Sequence, residues 1–196
     1  ILGWDTPEYY NNLRIVLEEA KKRNIKIDLT NGSGWPPGGS YLNTEDGFLS
    51  LDHADTLLSG NQTLTFKIPK LKTKTNGVLK LEVILASKVT SNNEVEKNKT
   101  LTLDPTTTQN LTSQVKNDSL TWKVPNGSWK IIAFWVSQSG ENTMIAALPK
   151  QGPVVDHLDS TKVLKNYNHL LGKRTELESY FGNPLRAIFN DSYEFK

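Results

Sequence analysis

Asp191 and Glu194 stand three residues apart, just beyond the apolar run Leu185-Arg186-Ala187-Ile188-Phe189. If a strand gives way there to a helical turn, residues at this spacing point the same way and share a site. The other reading is structural, with Asp191 capping the turn and Glu194 solvated. A second stretch, Asn31-Gly32-Ser33-Gly34-Trp35-Pro36-Pro37-Gly38-Gly39, places a large amphipathic ring among four glycines and two prolines. Glycine costs backbone entropy and proline removes a donor, so the chain must turn here. A flat ring flanked by small residues suits a sugar: the pyranose C–H bonds lie on the aromatic face, and its hydroxyls meet Asn31, Ser33 and backbone N–H groups. A Trp packed over the core to close the loop is the plainer alternative.

The elements that must position these residues are legible from the pattern. Trp4-Asp5-Thr6-Pro7-Glu8 reads as a helix start, with a Thr or Asp cap, proline in the first turn and an acid near the positive end of the dipole. Tyr9, Leu13, Val16, Leu17 and Ala20 recur at helical spacing, and Lys21, Lys22 and Arg23 suit the carboxyl end. Ile25 to Leu29 then reads as a short covered strand that feeds the Trp35 loop. Helix, link, strand and glycine-rich loop make an α/β unit, in which ligands gather at the carboxyl ends of strands. Asp28, alternating with apolar neighbours, is a candidate to bind a hydroxyl or to pair with Lys26 or another lysine nearby.

From about Leu49 to Leu148 the sequence changes to short alternating segments, among them Leu64–Ile68, Val78–Leu85, Leu120–Val124 and Trp129–Val136. Asn76-Gly77 and Asn126-Gly127 are hairpin turns, and the polar stretch Ser91 to Thr100 reads as an exposed loop. This spacing predicts a small antiparallel sandwich or barrel, with Trp122, Trp129 and Trp135 in its core rather than on a binding face. The α/β pattern resumes at Pro153-Val154-Val155-Asp156-His157-Leu158, an apolar stub whose Asp156 and His157 are candidates to contact a ligand, with a structural His as the alternative. Asp159 or Ser160 then caps a helix lined by Val163, Leu164, Tyr167, Leu170 and Leu171 and closed by Gly172. Leu177, Tyr180 and Phe181 suggest a second short helix, and Leu185–Phe189 a strand. An all-β module is thus expected inside one α/β domain, dividing the chain into 1–48, 49–148 and 149–196.

Composition narrows the function classes. Net charge of +2 and 36% hydrophobic residues describe a globular chain without a basic stripe for nucleic acid, and the mean hydropathy of -0.48 agrees. No apolar run is long enough for a membrane helix. Cysteine is absent, so there are no disulfides or thiolate metal sites. His53 and His169 lack metal-ligand spacing, and HExxH, EF-hand, nucleophile-elbow and phosphate-loop patterns are missing. The chain opens on Ile1 and reads as a piece of a longer protein. Asn-x-Ser/Thr sequons at Asn61, Asn98, Asn110 and Asn126 need a glycosylating host to matter.

Taken together, Asp28-Leu29-Thr30-Asn31-Gly32-Ser33-Gly34-Trp35-Pro36 with Gly38 and Gly39, Val155-Asp156-His157-Leu158, and Phe189-Asn190-Asp191-Ser192-Tyr193-Glu194 resemble glycoside hydrolase family 106, best known for α-L-rhamnosidases. The resemblance implies part of a (β/α)8 barrel interrupted by an antiparallel β-sandwich-like module, within a large multidomain enzyme. It implies an inverting two-carboxylate hydrolysis of terminal α-L-rhamnosyl or related linkages in oligosaccharides or polysaccharides. Glu194 is then the preferred catalytic carboxyl, Asp191 orients substrate or tunes its neighbour, and the second catalytic acid lies on a later strand outside this chain. Asn31, Trp35, Asp28, Asp156 and His157 are the expected substrate contacts. A calcium ion at the sugar hydroxyls and a secreted, periplasmic or cell-surface location are implied by the resemblance alone, with the rest of the parent chain as partner. The alternative function is a non-catalytic carbohydrate-binding or structural module. An isolated piece of a barrel exposes unpaired strand edges, so the chain alone is expected to be inactive and to associate.

Overall fold

A computed structural model describes residues 3–73, 79–95, 98–147 and 151–193. The chain divides into two compact units, 1–49 with 138–196, and 50–137. The return to the first unit therefore comes at Gln138 rather than after Leu148. The reason is backbone pairing: Ser139 N donates to Phe48 O (2.9 Å), Met144 N to Trp35 O (2.7 Å) and Thr143 N to Gly152 O (2.9 Å), all within that unit.

In the first unit, helix α1 (Pro7–Lys22) is capped by Thr6, whose hydroxyl accepts from Tyr9 N. Its buried face is Tyr10, Leu17 and Ala20, with Leu13 partly buried. Val16, expected on that face, is exposed, because the docked stripe centres on Tyr10 and not on Tyr9. Strand β1 (Ile27–Thr30) lies parallel to β9 (Leu185–Phe189), with Asp28 opposite Ala187 and Thr30 opposite Phe189. Ile27 and Leu29 pack with Leu185, Leu177 and Tyr180 on α1, while Asp28 and Thr30 occupy the other face. Helix α2 (Ser160–Leu171) is capped by Asp159. Leu170 is buried as expected, but Leu164 is exposed and a polar residue, Asn166, takes the most buried position of the helix.

Two further expectations are corrected here. The stub Pro153–Asp156 is no barrel strand: it forms isolated antiparallel bridges from Val154 to Gly38, Val155 to Gly47 and Pro153 to Asn142. The second short helix is replaced by two 3-10 turns, Lys173–Thr175 and Glu178–Tyr180. Among the described residues the parallel sheet has two strands, β1 and β9, so no closed barrel is present; closure of such a barrel takes eight.

The second unit is a two-sheet antiparallel module. One sheet has the order β2-β8-β4-β5 (β2 Leu49–Ser59, β4 Leu79–Val95, β5 Asn98–Asn110, β8 Ser128–Gln138). The other has the order β3-β7-β6 (β3 Gln62–Lys67, β6 Val115–Lys116, β7 Ser119–Val124). Strand β8 alternates along its length, burying Trp129, Ile131, Ala133 and Trp135. These meet Leu120, Trp122 and Val124 of β7 in one core. Trp122 and Trp129 meet edge to face at 5.3 Å. The indole N–H groups of Trp129 and Trp135 donate to the Pro125 and Pro69 carbonyls, both at 3.0 Å, so the large rings are buried with their polar tips satisfied. Within the polar stretch, 91–95 and 98–100 are strand and not loop. Their backbone continues β4 and β5, with Asn93 opposite Thr100 and Val95 opposite Asn98. The Asn76-Gly77 turn lies outside the described residues. At Asn126-Gly127 the chain does reverse, with Gly127 at φ +107°.

Candidate active site

The parallel pair delivers both suspect loops to one place. Beyond Thr30 the ladder continues for one more bond, Asn31 N donating to Phe189 O at 2.8 Å, so the residues after each strand leave the sheet side by side. There Thr30 to Trp35, Phe189 and Asp191 line a hollow of about 140 Å³. Trp35 and Ser33 come from one strand end and Asp191 from the other. Ser33 Oγ accepts from Ala147 N at 3.1 Å, which leaves its own proton to donate. The Asp191 carboxylate is exposed and accepts from Ser192 N at 2.8 Å. Glu194 lies outside the described residues, one position beyond Tyr193.

The glycine-rich loop owes its composition to a neighbouring backbone. Trp35 pairs with Met144, and Gly39 N and Val155 N bond Pro153 O and Pro37 O. A β-carbon on Gly38 would stand 2.2 Å from Pro153 O, and one on Gly152 2.1 Å from the Gly39 carbonyl carbon. Glycine is required where two chains approach this closely. Met144 and the stretch 152–155 thus form the floor on which the Trp35 loop is held.

The acidic loop is fixed at two points. At Asn190, Oδ1 accepts from Asn31 Nδ2 at 2.6 Å and Nδ2 reaches the Tyr167 hydroxyl at 3.4 Å. At Tyr193, the ring lies 4.7 Å from the His157 ring, which stacks in turn on Phe48 at 5.0 Å. Burial and the neighbouring Tyr167 raise the Tyr193 phenol above its ordinary range, so it stays protonated. His157 therefore meets the acidic segment.

The other expected contacts are engaged by the protein's own side chains. Asn31 is 6% exposed, and its amide is engaged at both ends, by Asn190 and by Asn166 Nδ2 at 3.0 Å. Asp28 is held by Arg186 in a bidentate pair (3.0 and 2.5 Å), which keeps its carboxyl below the ordinary range. Asp156 is buried, accepts from Leu158 N and pairs with Lys162 at 3.1 Å. Asp46 is paired with Lys165; burial works to raise its pKa, but the Lys165 and Asn43 hydrogen bonds prevail and lower it.

A polar cluster behind the site went unread in the sequence. Asp5 accepts from Tyr10 Oη at 2.8 Å, meets His169 Nε2 at 2.7 Å and is bonded by Arg174, whose guanidinium lies 5.0 Å over the Tyr10 ring. Burial raises the Asp5 pKa, but the bonds from His169, Tyr10 and Arg174 outweigh it and the net direction is down. The His169 ring stacks on Tyr41 at 3.9 Å, and Tyr41 Oη donates to Asn166 Oδ1 at 2.6 Å. These residues lie 5 to 174 in the chain, and no local spacing ties them together.

Calcium takes six to eight oxygen ligands. Among the described residues no group of three or more Asp, Glu or His side chains converges, so they do not make up such a cage.

A family model described as α-L-rhamnosidase, glycoside hydrolase family 106, matches residues 80–196. Among solved structures, a rhamnosidase from Novosphingobium sp. PP1Y superposes with a TM-score of 0.71 at 15% identity, covering 98% of this chain and 34% of that one. This chain thus spans about a third of that enzyme's length, and the likeness at this identity is one of fold. Comparison with curated proteins gives no match.

Proposed function

The chain belongs to the α-L-rhamnosidase family of glycoside hydrolases, and from that premise we propose that it carries one side of the active site of an enzyme cleaving terminal α-L-rhamnosyl or related linkages in oligosaccharides or polysaccharides. The observation that carries the proposal is the meeting of Trp35 and Asp191 at one hollow, each delivered by the carboxyl end of a strand of the same parallel sheet. Such strand ends are where barrel enzymes place their chemistry. In the proposal β1 and β9 are neighbouring strands of a (β/α)8 barrel completed by the rest of the parent chain.

The chemistry follows from the side chains. The Trp35 ring offers a face to the sugar C–H bonds, and Ser33 and Asp191 offer a donor and an acceptor to its hydroxyls. Hydrolysis with inversion needs one carboxylic acid that protonates the departing glycosidic oxygen. A second, ionised carboxylate takes a proton from the water that attacks the anomeric carbon from the opposite face, and the two stand about 6.5–9.5 Å apart. We assign Glu194 to one of these roles and its partner to another strand of the parent. Asp191, three residues away, orients substrate and biases the protonation of Glu194 by its charge. A bound calcium would add charge at the sugar hydroxyls; no step here runs through it. No helix among the described residues is long and apolar enough to cross a membrane, and a polysaccharide substrate argues for export of the parent.

The test is turnover of a panel of aryl glycosides by the parent enzyme, with and without chelator, beside its Glu194→Gln variant. Rhamnoside hydrolysis that falls about 100-fold or more in the variant, with sugar binding kept, is expected, as general acid–base groups contribute on that scale. Unchanged turnover removes Glu194 from the mechanism. Binding without hydrolysis of any glycoside by the wild-type parent would turn the reading into a carbohydrate-binding module. The isolated 196-residue chain, lacking the partner carboxylate, is expected to hydrolyse none of them.

A further inference from the structure

We infer that Asn166 is a positioning residue for this site, acting through a chain of hydrogen bonds that runs Tyr41 to Asn166 to Asn31 to Asn190 and so fixes the backbone that leads into Asp191. The inference rests on the functional reading above for its consequence and on geometry for its mechanism. Tyr41 Oη donates to Asn166 Oδ1 (2.6 Å), Asn166 Nδ2 to Asn31 Oδ1 (3.0 Å), and Asn31 Nδ2 to Asn190 Oδ1 (2.6 Å). Asn190 Nδ2 then faces the Tyr167 hydroxyl (3.4 Å).

Each amide has a carbonyl on one side and an NH2 on the other, so setting one sets the next. The chain starts at the Tyr41 hydroxyl, which lies within donating distance of Asn166 Oδ1. The Tyr41 ring is stacked on His169, and His169 is bonded to Asp5. Burial first, and the nearby Asp5 charge second, hold the Tyr41 phenol well above its ordinary range, so it remains a donor throughout the working pH range. Its hydroxyl also lies 3.2 Å from Gly38 O, so the same group touches the Trp35 loop directly and reaches the loop after β9 through Asn166, Asn31 and Asn190. Asn166 is 1% exposed and Asn31 6%; a polar group this buried must be satisfied by its neighbours. An amide in the middle of a helix face otherwise suited to leucine is costly unless its bonds are needed. The chain of bonds ends one residue before Asp191, and the 2.6 Å bond from Asn31 is the shorter of the two side-chain bonds described for Asn190. Neither Asn166 nor Tyr41 lines the hollow; Asn166 acts through Asn31 and Asn190, and Tyr41 acts through these and through Gly38.

The test uses the full-length parent enzyme. Asn166→Asp keeps shape and volume but replaces the donor to Asn31 with an acceptor; Tyr41→Phe removes only the hydroxyl that starts the chain. Both are expected to lower kcat on an aryl α-L-rhamnoside about 10- to 100-fold with KM changed less than threefold, because a misplaced loop spoils alignment more than binding. If Asn166→Asp does not fold, Tyr41→Phe alone decides. Crystal structures of the folded variants give a readout independent of turnover: displacement of Asn190 and Asp191 by an ångström or more is expected. Variants with wild-type kcat, or with Asn190 and Asp191 unmoved, overturn the inference. If the wild-type parent hydrolyses no glycoside, the functional reading fails while the displacement still decides whether Asn166 positions this loop.

Discussion

In the 50–137 unit, Trp129 and Trp135 turn their indole N–H groups onto proline carbonyls and pack into an apolar core of aliphatic and aromatic side chains. In the other unit the deepest positions include Asn31, Asn166 and Thr175, and a pairing of Asp5, His169, Arg174 and Tyr10 stands where leucines would pack as well. The apolar module gains stability from area and tolerates small shifts, since dispersion and the hydrophobic effect are weakly directional. Hydrogen bonds between amides tolerate neither a flip nor an ångström. A buried polar chain therefore trades stability for defined position, and it is found where two loops must be held at a fixed distance.

The contrast can be broken in measurable ways. The largest effect on stability is expected from Trp129→Ala in the sandwich. Loss of a buried aromatic costs about 3–5 kcal/mol, read as a fall in the denaturant midpoint of that unit, while the kcat of the parent enzyme that remains folded stays the same. A drop in kcat at unchanged stability would mean that the sandwich is no mere support. Gly152→Ala should come next. Its β-carbon would collide with the Gly39 backbone, a backbone clash of the order of 1–3 kcal/mol, and it should weaken the first unit and its sugar affinity together. Wild-type affinity in this variant would show that the floor under Trp35 does not matter for the site.

Smallest at neutral pH, but the sharpest in its pH signature, is Asp5→Asn. The folded Asp5 lies below its ordinary value of 3.8, so its contribution is fully present above that value and is lost as pH falls through the folded pKa. Wild type should be the more stable at pH 7, and the two urea midpoints should draw together as pH falls below 3.8 and through the lowered folded pKa. A difference that stays constant as pH falls through the acid range would place the effect in packing and not in charge.

Periodicity carried the elements that bury one face. The Thr6 cap and α1, the strands of β7 and β8 and their Trp-rich core follow from spacing and propensity alone. Register and partner choice did not. Val16 was expected in the core from its spacing with Tyr9 and Leu13, yet it is exposed while Tyr10, Leu17 and Ala20 are buried. The stretch 91–100 looked like a loop because Asn, Ser and Lys are poor strand formers, yet 91–95 pair across to 98–102. At the site, Trp35 and Asp191 were visible as residue types just past strand ends. Asn166 was not, since one Asn among helical polar residues has no sequence signature; what distinguishes it is burial. Two of the glycines read as room for a ligand, Gly34 and Gly38, make room for the backbone at Met144 and Pro153.

The two crossings between the units bring one more consequence. The first unit's chain leaves at Phe48 and is taken up again at Ser139, and these two are hydrogen-bonded to each other; within the second unit the entering strand β2 and the leaving strand β8 are sheet neighbours. Each unit thus has its two loose ends at one spot, the geometry that lets a domain be spliced into a host without opening it. The module is thus built as a cassette: a short turn in its place would close the host at little cost in chain entropy.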